Sequence, residues 1–157
     1  MWSQDPGAFH TDRAIAQSGA LREQATMPTS RVISFDFKDR SFAFSGDTAP
    51  TEAVAKMAKG ADVLVDEAMY VLAIETYIHG EITKGQPIKF EDLMVHMKAD
   101  HTPVEDVGRI AQEVGVKTLV LSHLTLAIDS ISDETWRTPA AKYLKGEIIV
   151  GKDLMVV

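Results

Sequence analysis

Four side chains in this sequence are of types and in positions that could support hydrolytic chemistry. Asp47 follows an apolar stretch, Phe42-Ala-Phe44, through Ser45 and Gly46. A carboxylate there would emerge at the carboxyl end of a strand, where ligands collect in open α/β sheets, and Gly46 would permit a tight bend beside a bound ion. His123 ends a second apolar run, Thr118 to Leu121. Two strands each closing on a possible metal donor is an unusual pairing, although Asp47 could equally cap the following helix and His123 could be a hydrogen-bonded core histidine. Glu67, next to Asp66, follows the run Val63-Leu-Val65, and His101 stands just before Thr102-Pro103. An imidazole at such a point can donate or shuttle a proton; an exposed loop histidine is the plainer alternative.

The elements that would position these residues can be read from residue 31 onward. Arg31–Lys38 and Ser41–Ser45 are rich in β-formers around a turn at Asp39-Arg40, which predicts a hairpin. Thr48 or Ala49 near the N-cap, Pro50 in the first turn and Gly60 past the end predict a helix with Val54, Met57 and Ala58 on its apolar face. Ala61–Asp66 reads as a short buried strand, and 69–80 and 90–99 as helices. Thr102-Pro103-Val104-Glu105 has the form of a capping box, with Thr102 as N-cap and Glu105 reaching back. Gly115 would end that helix. A buried strand follows to Ser122-His123, then a helix over 133–145, and strands over 147–150 and 153–157. Residues 1–30 form an irregular segment, with at most a short helix over Ala14–Arg22. Strands alternating with helices predict an α/β layered domain over 31–157.

Composition narrows the functional classes. The chain has 157 residues, a formal net charge of −7 and no cysteine. The acidic balance disfavours binding driven by a phosphate backbone, and any metal must be held by His, Asp or Glu. Neither a Rossmann glycine pattern nor a P-loop is present. No apolar run reaches the roughly 20 residues that cross a bilayer, so no membrane partner is expected. The amino terminus lacks the basic flank and apolar centre of a signal peptide. Cytoplasmic residence is the default expectation, and a periplasmic or secreted one if an upstream signal is missing.

Four segments in order, Ser45-Gly-Asp-Thr48, Gly60 through Glu67-Ala68, His101-Thr102 with its helix, and Val116 through His123-Leu124, resemble the carboxy-terminal half of metallo-β-lactamase-fold hydrolases. The ribonuclease Z and arylsulfatase-like branch is the most similar, over about residues 31 to 125. The resemblance implies half of an αββα sandwich, one mixed sheet flanked by helices. It implies that Asp47 bridges two divalent ions, usually zinc, with other divalent metals admissible, and that His123 completes the shell of the second. Glu67 and His101 would then relay a proton to the leaving group. Paired cations activate a shared water and polarise the scissile group, and a carboxylate on His101 would fix its tautomer. Substrates of the fold include small-molecule esters, sulfates, lactones and β-lactams, and phosphodiesters; fold alone does not choose among them.

The sequence departs from the family in its metal ligands and, by that resemblance, at Leu126, where a proline often follows the histidine strand. The His-x-His-x-Asp-His metal stretch is absent, no two histidines stand two apart, and Gln24-Ala-Thr-Met27 offers no ligand before the Phe35 strand. The remaining ligands and the second sheet must come from elsewhere, either a second copy of the chain or a missing amino-terminal half. The alternative is a non-catalytic truncated remnant that dimerises through its exposed sheet. His10, His79 and His96 are read as surface residues.

Overall fold

The computed structural model describes residues 13–15, 19–25, 31–126 and 131–156. They form one seven-stranded mixed sheet whose spatial order follows the chain: β1 (Arg13–Ile15), β2 (Gly19–Ala25), β3 (Arg31–Phe37), β4 (Ser41–Phe44), β5 (Val63–Met69), β6 (Thr118–Thr125) and β7 (Glu147–Val150). The first four pair antiparallel and β4 to β7 pair parallel. Helices α1 (Glu52–Ala58), α4 (Val104–Val114) and α5 (Asp133–Ala141) accompany the parallel half. Two more, α2 (Val71–Thr83) and α3 (Phe90–Asp100), lie between β5 and α4.

Among the described residues, one face of the sheet is covered and the other is open. Val32, Ala43, Leu64, Ala68, Leu119, Leu121, Ile148 and Val150 alternate along their strands into a single core with Val54 and Met57 of α1, Val107 and Ala111 of α4, and Trp136 and Ala140 of α5. Burying a Leu or Val side chain contributes roughly 1.5–3 kcal/mol, so this face carries most of the stability of the sheet. The intervening residues, Ile33, Phe35, Phe37, Phe42, Phe44 and Val65, face away from these helices. Phe37 and Phe44 are 46% and 39% exposed, and edge-to-face ring pairs Phe35–Phe44 and Phe37–Phe42 tile the surface. An apolar face this continuous is rare on a soluble monomer.

Most predicted elements form, with four instructive differences. The region expected to be irregular or briefly helical supplies strands β1 and β2, which extend the sheet beside β3. α1 is capped by Thr51, whose hydroxyl accepts from the Ala53 N–H at 2.8 Å; Thr48 and Ala49 are not its cap. Thr102 does not cap α4, whose N-cap is Pro103 with no side-chain bond. The expected strand over 153–157 is a turn within the described residues, closed by Met155 N–H donating to Lys152 O at 3.1 Å, with Leu154 at φ +63°. Gly115 ends α4 in the left-handed conformation as its position predicts.

A candidate metal and proton-relay site at the strand ends

The site is assembled from the carboxyl ends of three neighbouring strands. Parallel pairing of β4 with β5 continues one step past Phe44, where Ser45 N–H donates to Val65 O at 3.0 Å. This fixes Ser45 beside Glu67, whose N–H donates to Ser45 Oγ at 3.1 Å. Gly46 then turns at φ +63°, a conformation open to glycine at little cost, and Asp47 leaves the sheet. The capping alternative for Asp47 is thereby removed, since Thr51 takes that role.

His123 reaches the same place through a bulge. Glu67 pairs with Ser122 and Ala68 with Leu124, so His123 is the extra residue between two ladder positions. Its φ of +39° is left-handed, which is uncommon for a non-glycine residue. Bulges re-aim side chains beside functional sites, and here the imidazole Nε2 lies 3.3 Å from Asp47 Oδ2. Sequence periodicity gives no sign of this; it places the strand end at His123, whereas β6 continues to Thr125. Leu126, just past the strand, has φ +60°, which a proline ring cannot adopt.

Glu67 and His101 form the second pair. Glu67 is 2% exposed. Its Oε2 is 3.0 Å from His101 Nδ1, and its Oε1 accepts the Thr102 N–H at 2.5 Å. Thr102 in turn donates its hydroxyl to Thr48 O at 2.6 Å. The α4 start thus spends its N-cap threonine on the site, which is why the capping box does not form. Burial pushes the Glu67 carboxyl up to about 8, reinforced by Asp66 and Asp47 and opposed by the Thr102 N–H. Near neutral pH the pair therefore holds a proton between Oε2 and Nδ1.

The two pairs adjoin. The His101 and His123 rings stack with centroids 5.9 Å apart and planes inclined by 22°. A cavity of about 260 Å³ borders the site, lined by Asp47, Glu67, Ser122 and His123 on its polar side and by Ile33, Phe44 and Val65 of the open sheet face on the other. A segment covering that face would also close the site. The structure brings Asp47, Glu67, His101 and His123 to one sheet edge. The surrounding Ser45, Thr48 and Thr102 escape sequence reading because Ser-Gly-Asp-Thr and Thr-Pro are ordinary turn and cap signals.

An exposed carboxylate and an imidazole, converging at the mouth of a cavity, are donors a divalent cation accepts. Among the described residues no group of three or more His, Cys, Asp or Glu gathers at one point, so these two residues fit part of a shell. His79 and His96 are exposed as expected: one stacks on Phe90 and the other pairs with Asp100 at 3.3 Å. His10 lies outside the described residues.

No family model matches the chain. A ribonuclease Z of Brevibacillus brevis is 34% identical over 142 residues, covering 80% of this chain and 38% of that protein. Among solved structures, the metallo-β-lactamase fold protein YhfI of Bacillus subtilis superposes with a TM-score of 0.62 at 17% identity, over 88% of this chain and 49% of its own. The chain belongs to the ribonuclease Z branch of the metallo-β-lactamase fold. Human tRNase Z, short form, shares the fold with a TM-score of 0.53 at 18% identity, over 90% of this chain and 42% of its own. This metallo-β-lactamase-fold chain thus spans less than half the length of these relatives. Its one mixed sheet with a helical layer is half of the expected αββα sandwich, and no described helix is long and apolar enough to cross a membrane.

Proposed function

We propose that this chain supplies part of the active site of a metal-dependent hydrolase that cleaves phosphodiesters. Asp47 and His123 would be metal ligands, and Glu67 with His101 the proton relay. The observation that carries this reading is the stacking of the His101 ring on that of His123, which sets the Glu67–His101 pair directly against the Asp47–His123 pair. Zinc is the expected ion, two per complete site, and when bound it would polarise the scissile group and activate water.

The residues of the chain have separable tasks. Asp47 and His123 present donors from two different strands, so a cation they share is held against the rigid edge of the sheet. Glu67 fixes His101 through the proton shared between Oε2 and Nδ1 while its Oε1 accepts the Thr102 N–H. Because the pair retains a proton at neutral pH, His101 can pass one to a departing oxygen and recover it through Glu67. The open side of the site, bordered by Phe44 and Val65, is where the rest of the sandwich would exclude water. The relatives named ribonuclease Z favour a phosphodiester over the sulfates, lactones, β-lactams and simple esters that the fold also accommodates.

The test is turnover of bis(p-nitrophenyl) phosphate, a sulfate ester, a lactone and a β-lactam by the zinc-loaded protein. Phosphodiester hydrolysis that Asp47→Ala abolishes supports the proposal; hydrolysis indifferent to that substitution contradicts it.

A second reading rests on the exposed phenylalanines of the open face: a non-catalytic chain that pairs with a second copy through this sheet. It predicts a dimer in solution with no turnover of any of these substrates, and a monomer once Phe37 and Phe44 are replaced by charged residues.

A further inference from the structure

The opposite face of β5 carries a carboxyl that the relay does not use. Asp66 is 1% exposed, lies between Leu64 and Ala68 on the helix-covered side, and neither of its oxygens has a hydrogen-bond partner among the described residues. A bare buried carboxylate is costly, and burial pushes this one up to about 6. The two groups that favour its charge are the Ser45 hydroxyl and the Glu67 N–H. The helices packed over this face bring no buried charge to it: Glu52 and Lys56 of α1, Glu105, Asp106, Arg109 and Glu113 of α4, and Asp133, Glu134 and Arg137 of α5 all retain solvent contact. Glu67 is the one other buried ionisable group among the described residues, and it disfavours a second charge beside it.

Both groups that could receive an ionised Asp66 are already engaged with each other. Ser45 Oγ accepts the Glu67 N–H and donates its single proton to Gly46 O at 2.8 Å. Gly46 is the left-handed residue that launches Asp47. One hydroxyl proton cannot serve Gly46 O and an Asp66 carboxylate together.

We propose that Asp66 and Ser45 form a pH-sensitive latch on the turn that carries Asp47. With Asp66 neutral, the Ser45 hydroxyl holds the Gly46 carbonyl and the turn is fixed. When Asp66 gives its proton to solvent, the hydroxyl rotates to the carboxylate, the Gly46 carbonyl is freed, and Asp47 gains latitude. The consequence for metal binding rests on the reading of Asp47 given above; the latch itself does not.

The latch is tested on the metal-free protein by NMR, following the Asp66 carboxyl carbon and the Gly46 and Asp47 amides from about pH 4 to pH 8, a range that brackets a raised carboxyl. The amides are expected to move with the same midpoint as Asp66. Asp66→Asn should remove that movement and leave the amides at their low-pH positions. Ser45→Ala should uncouple them while Asp66 still titrates. Glu67→Gln should preserve the coupling. Amides that titrate unchanged in Asp66→Asn, that lose their movement only in Glu67→Gln, or that stay still while Asp66 ionises would each overturn the proposal. Because no metal is present, failure here is distinct from failure of the metal-site reading.

Discussion

Glu67 grips His101 and the residue after it at once: Oε2 stands 3.0 Å from His101 Nδ1, and Oε1 takes the Thr102 N–H at 2.5 Å. Both contacts come from the turn between α3 and α4, so the histidine is oriented by the same carboxyl that anchors its backbone. The Thr102 contact survives if the carboxyl becomes an amide, whereas proton exchange with Nδ1 does not.

Glu67→Gln is therefore expected to fold normally and to lower kcat of the complete enzyme by at least about 100-fold, the lower range for a general acid or its proton source. Steady-state kinetics together with the thermal transition separate the two effects. An unchanged kcat would exclude the relay.

His123 carries a backbone cost for its position. Releasing a left-handed non-glycine residue is worth roughly 1 kcal/mol, and the ion pair with Asp47 is exposed on both sides and contributes little. His123→Gly should thus leave stability unchanged or slightly raised while removing metal uptake. Denaturant melts and metal titration of the same sample check both halves; a large loss of stability would mean that His123 is structural.

Asp66 makes stability depend on pH with a definite sign. Its folded-state value is raised from 3.8 to about 6, so the neutral form is favoured by folding. That contribution is complete below about pH 4 and is lost as pH rises to about 6, amounting to roughly 3 kcal/mol. Glu67, raised from 4.5 to about 8 by burial, pulls in the same direction at higher pH. Asp66→Asn should flatten the fall between pH 4 and 6, about the window of its own titration, when urea midpoints are compared across that range.

Much of this organisation was legible in the sequence because local chemistry and tertiary need agree there. The β3–β4 hairpin, the Val54–Met57 face of α1, the Gly115 stop and the apolar runs of β5 and β6 all follow from period and turn residues. Asp47, Glu67, His101 and His123 were identifiable because each follows or precedes such an element, and the structure sets them at one sheet edge. What escaped depends on partners distant in sequence. Thr102 has every local mark of an N-cap, yet its N–H and hydroxyl are drawn to Glu67 and Thr48. The His123 bulge exists only relative to β5. β1 and β2 have weak β patterning and are held by pairing, β2 with β3 and β1 with β2, so propensity alone under-reads them. Asp66, one residue from Glu67, looks like half of a solvated acidic turn until alternation puts the two carboxyls on opposite faces.

In the reading proposed above, Asp47 and His123 hold a metal. It is tested most directly by elemental analysis of the purified chain, with its mass in solution measured on the same sample, for wild type and Asp47→Ala. Near-stoichiometric zinc in an assembly of two or more chains, absent from Asp47→Ala, is the predicted result, because two ligands need a partner to complete the shell. Zinc retained in Asp47→Ala, or no uptake by the wild-type chain even when a covering segment is supplied, would contradict it.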